Sequence, residues 1–109
     1  MMLLVYIASG YSIGDKQGNV DRQREMAHIL ADYGYCPVPP LVLGHYLEQW
    51  RSRPEDEYIA IDFALLAKCD VVLRLEGFSV GADLETAYAR SLNIPVVYSV
   101  DELRRLIAL

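Results

Sequence analysis

Cysteine and histidine are scarce in this sequence, two of each in 109 residues, and none stands at metal-ligand spacing from another. Cys36, Cys69, His28 and His45 therefore give no metal site, and two isolated thiols fit buried cysteines in a reducing cytoplasm. Absent as well is any apolar run long enough to cross a bilayer. The opening "MMLLVYIASGYS" lacks a basic leader and reads as a first strand meeting a loop, not as a targeting segment. A soluble, cytoplasmic protein without a membrane partner is expected. No basic patch occurs either: the ten Lys and Arg are scattered and the net charge is −5, which argues against a nucleic-acid polymer as partner. "GYSIGDKQG" (10–18) has the wrong spacing for a dinucleotide fingerprint, and no Gly-Lys-Ser/Thr follows a glycine-rich loop. Neither a nicotinamide cofactor nor ATP is indicated, and the expectation is of no cofactor at all.

What is present is a globular balance, 53% hydrophobic and 23% charged, in a length that fits one domain spanning residues 1–109. Residues 3–8 form a continuous apolar segment of strand length that ends at Ser9-Gly10. Met26, Ile29, Leu30 and Tyr33 recur at helical spacing within 20–33, and Gly34 supplies a stop. "YCPVPPL" (35–41) reads as a short strand ended by prolines, and the aromatic segment up to Arg53 is partly helical and hard to assign. Pro54 followed by three acids starts a helix that runs to about Lys68. Then come a strand (70–75), a helix (81–93), a strand (95–99) and a closing helix (101–109) capped by Ser99 or Asp101. Such alternation implies an α/β fold with a parallel sheet of four or five strands and helices on both faces. In that architecture ligands bind beyond the carboxyl ends of the strands. The loops "ASGYSIGDKQGN" and "EGFSVGAD" lie there, each leading to a helix N-terminus that favours an anion, although ordinary turns would read the same way.

Two acids stand out. Ile59, Asp62, Leu66 and Cys69 share one helical face, so Asp62 interrupts an apolar stripe. An inward carboxylate is either hydrogen-bonded to structure or used in chemistry, and burial would raise its pKa. Glu85 lies in the first turn or two of its helix; together with Asp83 it is explained equally well as a partner of the helix dipole. That dipole would hold it ionised at neutral pH, the state a nucleophile needs.

Tyr6-Ile7-Ala8-Ser9-Gly10, Asp62 ahead of "LLAKCDVVL", Ser79-x-Gly81-x-x-x-Glu85-x-x-Tyr88-Ala89 and "NIPVV" follow one another in an order that spans nearly the whole chain. The combination resembles the nucleoside 2-deoxyribosyltransferase superfamily, which includes the nucleoside 5'-monophosphate N-glycoside hydrolases, and is nearest its small members. The resemblance implies a flavodoxin-like three-layer sandwich, with Glu85 as nucleophile, Asp62 acting on the departing base and Tyr6 beside the nucleophile. It also implies a substrate site involving Ser9, Gly10, Ser79, Gly81 and Asp83. Ser79 stands where the transferases carry an Asp for the sugar hydroxyl and where the hydrolases carry a Ser for the 5'-phosphate, which favours a monophosphate substrate. Relatives complete the site from a neighbouring subunit near the C-terminus; here that implies a homodimer or larger homo-oligomer, with Ser99 as donor. Asp83 is the residue that fits least, since it adds negative charge near the expected phosphate site; Lys16 or Arg22 is available to offset it. The implied activity is cleavage of a base–sugar bond by hydrolysis or by transfer to a second base. The rival readings are a non-catalytic nucleotide-binding or sensing module, and an interaction domain with a vestigial pocket.

Overall fold

Strand β1 (Leu4–Ala8) lies at the centre of the molecule because its residues are apolar on both faces, and Val5 to Ala8 are completely buried. The computed structural model describes residues 2–12 and 14–108. After β1 come α1 (Lys16–Asp32), β2 (Cys36–Val38), α2 (Pro40–Trp50), α3 (Glu55–Leu66), β3 (Val71–Arg74), α4 (Val80–Ser91), β4 (Val96–Val97) and α5 (Val100–Ala108). The four strands described pair in the order β2-β1-β3-β4, and every pairing is parallel. Helices cover both faces, giving the expected three-layer α/β fold. None of the described helices is long and apolar enough to cross a membrane.

Alternation along the strands sorts the core into two halves. Val5, Ile7, Val71, Leu73 and Leu75 point to the side covered by Leu30 of α1 and Leu103 of α5. Tyr6, Ala8 and Val72 point to the opposite side, against Leu66 of α3 and Ala82 and Ala89 of α4. Tyr6 and Glu85 are therefore delivered to the same layer by two independent periodicities.

Several boundaries differ from the sequence reading. Helix α1 begins at Lys16, four residues before the segment 20–33 read from the spacing, because the Asp15 carboxylate caps it by accepting from the Gln17 N–H at 3.1 Å. Strand β2 ends at Val38 just before Pro39 and Pro40, as the sequence reads, and Pro37 lies inside it; β2 is an edge strand, where a missing N–H leaves no ladder bond unmade. The ambiguous stretch after it is helical from Pro40, with proline at the start where its fixed φ suits a helix. The inward stripe expected on α3 splits: Leu66 and Cys69 are buried, whereas Ile59 and Asp62 rim a cavity where the helix rises past the sheet.

One buried polar side chain ties these parts together. Gln23 of α1 is completely buried; its Nε2 donates to the Ile7 carbonyl at 3.0 Å and to Ser9 Oγ at 2.9 Å, and its Oε1 accepts from the Leu41 N–H at 3.1 Å. It fixes the exit of β1 against the start of α2. Gln23→Leu keeps the volume and removes all three bonds, so it should destabilise the fold by about 1–3 kcal/mol in urea unfolding. An unchanged midpoint would show that these bonds contribute nothing net.

Candidate functional site

The chain leaves β1 toward β2 on one side and pairs β1 with β3 on the other, so the strand order reverses between β1 and β3. A crevice is expected above the carboxyl ends at such a switch point. A cavity of about 570 Å³ opens there, walled by the β1–α1 loop, α2, α3 and the N-terminal part of α4. Its size suits a small organic ligand.

Of the residues singled out from sequence, Ser9, Gly10, Asp62, Ser79, Gly81 and Glu85 line this cavity. Tyr6 lies beneath it, fully buried, and its hydroxyl donates to Glu85 Oε2 in a short hydrogen bond. Glu85 is only 8% exposed. Burial is the largest influence on its carboxyl and, with the nearby Asp62 charge, outweighs the Tyr6 hydrogen bond and the Arg74 charge, pushing the pKa up to about 8. This corrects the expectation that the helix dipole keeps Glu85 ionised. Glu85 is the sixth residue of α4, beyond the first turn where the dipole acts, so desolvation decides. Asp62 is half-buried and is raised to about 6, also by burial. Burial, reinforced by Glu85 and Asp62, pushes the Tyr6 hydroxyl far above the usual phenol range, so Tyr6 remains a donor.

Ser79 is the N-cap of α4, its Oγ accepting from the Ala82 N–H at 3.0 Å. The β1–α1 loop presses against it: a Cβ on Gly10 would stand 3.1 Å from Ser79 Cβ, so glycine permits the approach that closes the floor of the cavity. Farther out, the Tyr11 hydroxyl lies 3.3 Å from His45 Nδ1, and Lys16 stands 5.5 Å above the Tyr11 ring. Lys16 lines the cavity; Arg22 does not, its guanidinium donating to the Glu76 carbonyl at 2.7 Å.

Two residues of the expected substrate site lie outside this chain's own cavity. Asp83 does not line the cavity, and its Oδ1 accepts from Arg74 at 3.1 Å, which answers the negative charge that had no evident purpose in the sequence. Ser99, expected to serve a neighbouring subunit's site, is exposed, apart from this chain's own cavity, and accepts from the Glu102 N–H to cap α5. Sequence reasoning missed Arg74, counted only among the scattered cations. The signal was a single charge within the apolar run "VVLRL". Among the described residues no group of three or more His, Cys, Asp or Glu could hold a metal ion.

A family model described as "Domain of unknown function (DUF7768)" matches residues 3–99. Among solved structures, the 2-deoxyribosyltransferase of the psychrotolerant bacterium Bacillus psychrosaccharolyticus superposes with a TM-score of 0.62 at 16% identity. The match covers 85% of this chain and 69% of that one; that enzyme is described as a biocatalyst for synthesis of antiviral and antitumoral nucleosides. No curated protein matches. At 16% identity the likeness is one of fold, and it agrees with the flavodoxin-like sandwich implied by the sequence.

Proposed function

The chain belongs to the DUF7768 family, and for this member we propose an N-glycosidase that cleaves the base–sugar bond of a nucleoside or nucleoside 5'-monophosphate. The observation that carries this reading is the buried Tyr6–Glu85 pair at the floor of a ligand-sized cavity whose wall holds a second carboxyl, Asp62. Ionised Glu85 attacks the anomeric carbon as the base departs, and Asp62 gives the base its proton. Water, or a second base, then releases the sugar from Glu85. Tyr6 orients the attacking carboxylate by donating to one of its oxygens.

The two carboxyl groups work as a pair. Between about pH 6 and pH 8 they hold one proton between them, and in the empty site it rests on Glu85. The reaction requires it on Asp62, so the proton must move from Glu85 to Asp62 before the base departs. Positive charge developing on the sugar ring beside Glu85 favours that rearrangement as the bond breaks. For a 5'-monophosphate, the Ser79 hydroxyl and the N–H groups at the start of α4 are suited to the phosphate.

The raised Glu85 pKa also favours a second reading, a nucleotide-binding module in which a neutral Glu85 is a hydrogen-bonding group and no bond is broken. Incubation with a panel of nucleosides and their 5'-monophosphates at pH 7 and pH 9, followed by chromatography for free base, separates the two. Base release from one class, faster at pH 7 than at pH 9, is the expected result, because above pH 8 the pair has lost the proton that Asp62 must give. Calorimetric binding of a nucleotide that stays intact would establish the module, and neither release nor binding would overturn both.

A further inference from the structure

Arg74 breaks the pattern of β3. Val71, Val72, Leu73 and Leu75 are buried apolar residues, and Arg74 among them is only 8% exposed. Alternation places it on the face of Val72, beneath α4, at the carboxyl end of the strand. A guanidinium cannot be buried there without partners. It has three: it donates to the Leu75 carbonyl in a short bond, to the Gly77 carbonyl at 2.9 Å and to Asp83 Oδ1 at 3.1 Å. Gly77 has φ +121°, a conformation side chains rarely tolerate, so glycine is needed for the turn that presents its carbonyl. One side chain thus joins the strand end, the following turn and the first turn of α4.

We propose that Arg74, steadied by Asp83, is the positioning residue for Glu85: it fastens the turn and helix that carry Ser79 and Glu85 to the sheet, and its buried charge acts on Glu85. The nucleophilic role of Glu85 rests on the function proposed above; the clamp and its charge do not. Tyr6 on β1 donates to Glu85, the charge of Asp62 on α3 opposes its ionisation, and Arg74 on β3 favours it. Asp83, on the same helix as Glu85, acts through Arg74 by offsetting part of its charge.

This arrangement predicts opposite signs for its two members. Arg74→Met removes the charge that favours ionised Glu85, which should then titrate at higher pH. Asp83→Asn leaves Arg74 uncompensated, and Glu85 should titrate at lower pH. A tie with only a structural role would weaken the fold in both variants without separating the two titrations.

The test is carbon NMR of protein labelled at the Glu side-chain carboxyl, without substrate, with the Glu85 signal assigned by its loss in Glu85→Gln. Arg74→Met should cut the ionised fraction at pH 7 roughly three- to tenfold, and Asp83→Asn should raise it about twofold. Midpoints that stay fixed, or that move the same way in both variants, overturn the proposal. Should Arg74→Met not fold, Asp83→Asn decides alone, since Asp83 is largely exposed: a shift to lower pH supports the proposal and no shift overturns it. Base release measured on the same proteins keeps the two ideas apart. If Glu85 titrates as stated while no protein releases base, the glycosidase reading fails and the positioning role stands.

Discussion

Glu85→Gln should lower base release by on the order of 10³-fold or more, because an amide cannot form the glycosyl ester through which the bond is broken. The substitution is nearly isosteric, and its carbonyl still accepts from Tyr6, so the cavity keeps its shape. In the wild type the rate of release should be bell-shaped, following the fraction of the pair that holds a single proton, rising through about pH 6 and falling through about pH 8. Glu85→Asp, which keeps the carboxylate but withdraws it by one methylene, should retain a small residual rate with a similar pH dependence. Release by Glu85→Gln at the wild-type rate would remove Glu85 from the mechanism. The cavity would then have to act through Asp62 alone.

The same substitution should stabilise the protein at alkaline pH. In the unfolded chain Glu85 loses its proton near 4.5, and in the folded chain only near 8. Between those values the folded state binds more protons, so stability falls as pH rises through this window. The full shift corresponds to a destabilisation on the order of 3–5 kcal/mol above pH 8, absent below pH 4.5. Gln cannot ionise and escapes this cost. Urea unfolding should therefore find Glu85→Gln close to wild type at pH 4.5 and more stable by several kcal/mol at pH 8.5. A difference that does not grow with pH would show that Glu85 is not held in a desolvated site. Loss of activity and gain of stability in one variant are expected of a group whose burial serves chemistry at the expense of the fold.

How much of this was legible in the sequence depended on how local the cause was. Apolar runs and helical spacing announced the β/α alternation, and strand-exit loops announced where the cavity opens. Order of motifs, more than any single one, brought Tyr6, Asp62, Ser79 and Glu85 forward as a group. The start of α1 was misplaced because its cap, Asp15, precedes the apolar periodicity by several residues. Helix α2 was indistinct because it lacks a side-chain cap and carries exposed Leu43, Tyr46 and Trp50, so no clear apolar stripe marks it.

Charge was the least legible property. Read locally, Glu85 beside Asp83 makes two ordinary acids near a helix start, and the dipole accounts for both. The folded chain turns them to different sides of the helix: the largely exposed Asp83 meets the buried Arg74, and Glu85 turns inward to Tyr6, which is 79 residues away. The sequence by itself determined the layers, the parallel sheet and the end of it at which a site would form, because hydrophobic periodicity and turn chemistry act over a few residues. Only the tertiary structure decided which carboxyl keeps its proton, because desolvation and ion pairing depend on neighbours that the fold, not the chain order, brings together.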